Sequence, residues 1–199
     1  MGDPPDLSRL DEAFWESAAG LLLADVRPEL ERMALASVAS AAATVPVLWD
    51  EAAIAVEAAD WAGRHTYELV TGLNDNTRRL LQRTVEEFVR TPGETIGQLR
   101  EGLAPAFGES RAQSIAVTET TRAYAHGKRL VQQQLERGGV RMTRIWRTSM
   151  DERVCPICGE GGLQDTPESE WARIHPPAAD GPPAHPRCRC WAVLSRVKE

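Results

Sequence analysis

The sequence predicts an α+β protein that is predominantly α-helical, with an N-terminal helical bundle followed by a small C-terminal module that holds a short β-sheet. Three observations predict it. Apolar residues recur at helical spacing over residues 10–137. Two later stretches, Arg141–Arg147 and Trp191–Val197, read as strands. All four cysteines lie between positions 155 and 190, in a segment otherwise dominated by glycine and proline.

The helices can be placed one by one. Leu10, Phe14, Ala18 and Leu21 mark the first. Pro28 interrupts that pattern and suits the first turn of a second helix, which carries Leu30, Met33, Val38 and Ala41. Its alanine-rich run 34–43 is suited to close packing against a neighbour. Pro46 breaks the chain again. Asp50 caps a third helix with Ile54, Ala58, Trp61, His65 and Leu69 on one side, and Gly72 with Asn74 marks its end. Asn76 starts a fourth, with Leu80, Leu81, Val85, Phe88 and Val89 inward. Thr91-Pro92-Gly93-Glu94 is a capping box with proline at the first helical position. The helix it starts carries Ile96, Leu99 and Leu103 up to Pro105. A last long helix runs from about Glu109 to Arg137 with Ala112, Ile115, Ala116, Ala123, Leu130 and Leu135 as its apolar members, and Gly138-Gly139 stops it. His65 and His126 fall within helices and read as partly buried or surface histidines.

In the first strand Met142, Arg144 and Trp146 share one face, and Thr143 and Ile145 the other. Trp146 and Trp191 are expected to pack the small sheet against the last long helix. Six of the thirteen prolines fall in residues 166–187. A loop this long without secondary structure needs something to tie it down.

Charge and length exclude several classes. The chain has 199 residues and a net charge of −6. Residues 1–109 carry 9 Lys+Arg and 19 Asp+Glu, whereas residues 110–199 carry 14 and 10. The acidic front half argues against non-specific wrapping on nucleic acid, where phosphate neutralisation supplies the binding. The stretch from Lys128 to Arg153 is the basic part, with seven basic and three acidic residues. No apolar run approaches the roughly 20 residues that cross a bilayer. The acidic N-terminus lacks the basic start of a secretory signal and the Ser/Thr of a myristoylation site. A reducing compartment is therefore expected, where cysteines are metal ligands more often than disulfides.

Cys155-Pro156-Ile157-Cys158-Gly159 is a C-x-x-C knuckle, and His185, Cys188 and Cys190 form a second ligand group. Two ligand groups on separated segments are the usual arrangement of a structural zinc site, which would pin the proline-rich loop at both ends and make the module zinc-stabilised. Five donors compete for about four positions. The closed set is Cys155, Cys158, Cys188 and Cys190. A set with His185 leaves one cysteine spare, and His175 is a sixth candidate. Disulfide pairing or reactive thiols are the other readings. A catalytic zinc needs an open position and a nearby acid or base. The chain has no H-E-x-x-H, no deaminase signature, no G-x-S-x-G, no phosphate-binding glycine loop and no asparagine after Asn76. Non-enzymatic function is expected, with no catalytic residue.

The C-terminal half resembles the phage Mu protein F-like family of head morphogenesis or minor capsid proteins. The pattern starts on the long helix with Arg111-Ala112, Ile115-Ala116, Thr118-Glu119-Thr120 and Gly127. It continues through Gly138-Gly139, Ile145-Trp146-Arg147-Thr148 and Asp151-Glu152-Arg153-Val154-Cys155-Pro156-Ile157-Cys158. It ends with Pro182-Pro183-Ala184-His185-Pro186 and Cys188-Arg189-Cys190. The resemblance implies a head morphogenesis domain over residues 110–199 and a helical docking region over residues 1–109. It implies a virion component of a tailed phage or prophage, made in the bacterial host cytoplasm and placed near the portal. Its partners would be portal and capsid or scaffold proteins, with room for contact with packaged DNA and none with a membrane. The rival readings are a metal-dependent nuclease-like enzyme acting in DNA packaging or ejection, and a cellular zinc-ribbon adaptor.

Overall fold

The computed structural model describes residues 11–43, 50–90 and 108–197, together with residues 98, 101, 102 and 104. Three long helices, α1 (Glu12–Ala42), α2 (Glu51–Arg90) and α3 (Glu109–Arg137), precede a small sheet. Strand β1 (Met142–Arg147) pairs antiparallel with β2 (Trp191–Arg196), with Met142 opposite Arg196 and Arg147 opposite Trp191. Between the strands lie a short helix α4 (Glu168–Ile174) and a 3-10 turn at Pro176–Ala178. The protein is thus α+β and mostly helical, as its sequence predicts. No helix among the described residues is long and apolar enough to cross a membrane.

Two expected breaks do not occur. Pro28 lies inside α1, and Gly72, Asn74 and Asn76 lie inside α2. Proline in a helix interior forfeits one backbone hydrogen bond and costs about 3 kcal/mol, and glycine about 1 kcal/mol relative to alanine. In α1 the penalty is offset by the burial of Leu30, Ala34 and Val38 beyond Pro28, whereas in α2 the described residues beyond Gly72 are at most partly covered and Arg78 ties that stretch to Glu12 of α1. Asp50 does cap α2 as expected, accepting the Ala53 amide at 3.0 Å. The Thr91–Glu94 capping box, the helix with Ile96, Leu99 and Leu103, and the side chains of Val85, Phe88 and Val89 lie outside the described residues, as do Leu10 and Pro46.

The chain divides into two compact units. The first comprises Met1–Arg27 and Gly63–Gln113. Here the expected apolar stripe of α1 holds only in part: Ala18 is partly covered, but Phe14 and Leu21 are exposed, and Trp15, Ala19 and Leu23 are partly covered instead. Arg78 of α2 reaches α1, donating to both Glu12 oxygens at 3.1 and 2.9 Å while its guanidinium lies 4.9 Å from the Trp15 ring centre. That anchor turns Trp15 toward α2 and leaves Phe14 outside.

The second unit comprises Pro28–Ala62 and Ser114–Glu199. Its first core is aliphatic. Ala34, Val38 and Ala41 from α1, Ile54 and Ala58 from α2, and Leu130, Val131 and Leu135 from α3 close around Met142 of β1. The alanine-rich face packs closely, as expected. A Cβ placed on Gly127 of α3 would stand 2.2 Å from the Ala34 carbonyl oxygen, so only glycine fits that crossing. Gly139, at φ 81°, ends α3 in a Schellman motif: its amide bonds the Glu136 carbonyl, and the Val140 amide reaches the Leu135 carbonyl at 2.9 Å.

Met142, Arg144 and Trp146 are the buried face of β1, and they meet three different surroundings. Met142 joins the aliphatic core, against which Leu194 of β2 also packs. Arg144 donates to Glu168 at 2.8 Å and to the Asp180 carbonyl at 3.1 Å, and it lies over the Trp171 ring. Glu168 in turn accepts from Gln132 of α3 at 2.6 Å, which ties α4 to the long helix. Trp146 does not pack on α3 as expected. It belongs to a second core, edge-on to Trp171 at 5.2 Å, with Leu163, Ala178, Ala192 and the cysteines. The reason lies in the loop. Residues 165–167 pair with the free edge of β1, where the Asp165 amide and the Thr166 carbonyl bond the Trp146 backbone at 3.0 Å each, and this return brings Leu163 and Trp171 to the Trp146 side chain.

Candidate metal centre

The knuckle forms because the Cys155 carbonyl accepts two amides in succession, from Cys158 at 3.1 Å and Gly159 at 2.9 Å. This tight turn points both thiols the same way. The second ligand segment makes its own turn, with the Cys188 amide on the His185 carbonyl at 3.2 Å and Arg187 in the left-handed region at φ 63°. That conformation directs the Arg187 amide to the Thr118 hydroxyl of α3 at 2.9 Å. One turn further along the same helix face, Thr121 donates its hydroxyl to the Cys188 carbonyl at 2.7 Å. The ligand loop is therefore fixed to α3 by two side chains three residues apart.

All five sequence-predicted donors come together. Cys155, Cys158 and His185 form one triad, and Cys158, Cys188 and Cys190 another, with the ligand atoms of each triad within 4.8 Å of one another. Cys158 belongs to both. The His185 Nε2 stands 3.1 Å from the Cys155 sulfur and 3.4 Å from that of Cys158, and the Cys158 and Cys188 sulfurs are 3.9 Å apart. These spacings suit a tetrahedral ion: with metal–sulfur bonds of about 2.3 Å, adjacent sulfurs lie about 3.8 Å apart. The cluster could hold a metal, and its thiols and imidazole are the donors a thiophilic ion prefers. His175 stands outside both triads, with its Nε2 at 3.3 Å from the Ala184 carbonyl.

The surroundings prepare these donors. His185 Nδ1 lies 2.8 Å from the Pro186 carbonyl, an arrangement that places the ring proton on Nδ1 and turns the Nε2 lone pair toward the thiols. Burial opposes protonation of His185, but that carbonyl and the neighbouring thiols outweigh it and push the ring's pKa up. Cys188 is held far below the ordinary thiol range by hydrogen bonds from Cys158 and Cys190. The same contacts with Cys188 and Cys190, together with burial, push Cys158 up. Negative charge thus gathers on a sulfur that its neighbours already solvate. Cys190 is pushed up to about 12: a bond from Cys158 lowers it, but the contact with Cys188 and burial outweigh that, and the buried indole N–H of Trp146 opposes the rise only slightly. At the rim, Arg189 grips both Asp151 oxygens at 2.7 and 3.0 Å and holds that carboxyl below its usual range.

Sequence reasoning did not single out Thr121, Trp146, Trp171 or Glu168 as supports of this site. Thr118 and Thr121 carried a signal, since residues three apart on a helix share a face. The tryptophans and Glu168 carried none, because their partners are set by how the loop folds back. A comparison with known families completes the description: the family model described as Phage Mu protein F like protein matches residues 77–193, a span that includes α3, β1, α4 and all five donors. No curated protein and no solved structure matches the chain.

Proposed function

This chain belongs to the Phage Mu protein F like family, and from that membership we propose that it is a minor capsid or head morphogenesis component of a tailed phage or prophage. On this reading it joins the head near the portal, after synthesis in the bacterial host cytoplasm. Portal and capsid or scaffold proteins are its partners, and it performs no catalysis. Residues 1–109 serve as the helical docking region, and residues 110–199 as the head morphogenesis domain. The observation that carries the reading is a family match running through the whole cysteine and histidine cluster.

The proposed cofactor is one structural zinc, held by four of the five donors Cys155, Cys158, His185, Cys188 and Cys190. When bound, such an ion cross-links the knuckle to the segment before β2 and contributes binding energy to folding. The chain's own residues do the rest. Thr118 and Thr121 fix the second ligand segment to α3, and the Pro186 carbonyl orients His185. Together the two triads consist of four thiols and one imidazole, which favours a closed site over a catalytic one.

The basic stretch supports a protein partner more than DNA. Arg129, Arg137, Arg144 and Arg147 each pair with a carboxylate of this chain, and Lys128 is buried. Few of these charges remain to neutralise phosphates. Two measurements test the reading. Elemental analysis of protein purified without chelator should find about one zinc per chain, lost in Cys155→Ser and Cys158→Ser. Mass spectrometry of purified particles should find the chain among the virion proteins, and its absence from them would refute the head assignment.

A further inference from the structure

The first unit contains a second site, unrelated to the cysteines: a cavity of about 340 Å³ running between the N-terminal part of α1 and the middle of α2. Both walls are helical stripes. Trp15, Ala19 and Leu23 recur every four residues along α1, and Val70, Asn74 and Arg78 do so along α2. These six form the floor, with Val70 fully buried and the others half-buried. Eleven helical steps on each side make the groove about 16 Å long, or about three turns. The exposed rim is acidic, with Glu12, Glu16 and Asp75 standing against the single guanidinium of Arg78. Glu12 is engaged by Arg78. Glu16 and Asp75 make no side-chain hydrogen bond or ion pair among the described residues and only bias Arg78 through space.

We propose that this groove is a docking site for a basic amphipathic helix of another protein. The groove itself shows how a cation is taken: the Arg78 guanidinium lies over the Trp15 face and is clasped by the Glu12 carboxylate. An incoming arginine or lysine meets further carboxylates at Glu16 and Asp75. Its apolar face lies on Ala19 and Leu23, and at Gly20 none of the described residues stands within 4 Å of where a Cβ would be, so a second helix can approach closely. Charge selects the occupant. A second copy of this chain brings a net charge of −6, and in its basic half Arg129, Arg137, Arg144 and Arg147 are already paired with its own carboxylates, so it matches an acidic rim poorly. The first ten residues of the chain, MGDPPDLSRL, carry two aspartates and one arginine and offer no basic excess. A basic helix from a different protein is what remains complementary. The proposal stands on the groove alone and needs neither the metal nor the head assignment.

The test uses the full chain and two labelled synthetic helices of about three turns. One is built from leucine, alanine and arginine, and the other has glutamate in place of every arginine. Fluorescence anisotropy should show that the arginine helix binds, weakening as salt rises, and that the glutamate helix does not. In the double variant Glu16→Lys with Asp75→Lys, binding should fall by about ten-fold or more. Ala19→Trp, which fills the floor, should abolish it. Circular dichroism confirms that both variants keep their helix content. Failure of the arginine helix to bind overturns the proposal, as does equal binding by the glutamate helix or by the double variant. A concentration-dependent dimer of the wild-type chain that Ala19→Trp dissolves would assign the groove to a second copy, and that also overturns it.

Discussion

The second unit has two cores made of different materials. The first gathers alanine, valine, isoleucine and leucine from three helices and a methionine from one strand. The second has one leucine, two tryptophans, three alanines and three cysteines, drawn from strands, a short helix and turns. Burying a leucine or isoleucine is worth about 1.5–3 kcal/mol, so the aliphatic core can stand on burial. The second encloses too little aliphatic surface for the chain it orders, and its cysteines sit where further leucines would otherwise be needed. The difference shows two ways of making a turn-rich segment rigid: packing, which fails by degrees, and cross-linking, which fails at once.

Breaking the cross-link should separate the two most sharply. Cys158 belongs to both donor triads, so Cys158→Ser removes the one sulfur that neither can replace. The free energy at stake is on the order of 10 kcal/mol if zinc is the ion. Hydrogen exchange should then show residues 155–190 losing protection while the amides of Leu130, Val131 and Leu135 stay slow. Simultaneous opening of α3 would show that the cores are one cooperative unit. The converse change is Leu135→Ala, at a fully buried position of the first core. It should cost about 2–5 kcal/mol in denaturant unfolding and leave the metal content unchanged.

A buried charge sharpens the picture of the first core's edge. Lys128 is buried on α3, with Ser40 accepting its ammonium at 3.2 Å, and desolvation lowers its pKa from 10.5 to about 8. Between those values the unfolded chain binds more protons than the folded one, so stability rises with pH across that window and is flat below it. The gain is at most about 3 kcal/mol. Lys128→Met should remove the rise, which urea midpoints at several pH values can read. An identical slope in wild type and variant would place the titration elsewhere. The smallest effect is expected at the junction with α3. Thr121→Val leaves the Cys188 carbonyl without its hydroxyl donor and should cost about 1 kcal/mol. It should also weaken metal affinity by about ten-fold or more in a chelator competition. An unchanged affinity would mean that the loop holds its shape unaided.

The same contrast governs what the sequence revealed. The five donors were legible because their spacing is local and few other patterns put cysteines so close. The limits of α3 and both strands were legible too, because a Schellman glycine and a period of two are written into neighbouring residues. The unbroken run of α1 through Pro28 was not, since a local penalty of a few kcal/mol was outweighed by burial against residues far along the chain, nor was that of α2 through Gly72, where the cost is only about 1 kcal/mol and Arg78 finds Glu12 far back in the chain. Trp146 illustrates the remaining gap. Its strand face could be read, but its neighbours could not, because they depend on residues 165–167 returning to β1.

The crossing of α1 and α3 bears on how the chain folds as it is made. The bonds from Tyr124 and Lys128 to Ser40 span 84 and 88 residues. When α1 leaves the ribosome, its partner helix is still to be translated. At roughly 5–20 residues per second the alanine-rich face waits several seconds or longer with its apolar side uncovered. Contacts of such long range also slow the final closure. The interval before α3 arrives is therefore when the chain is most exposed to aggregation, and when a chaperone would have most to hold.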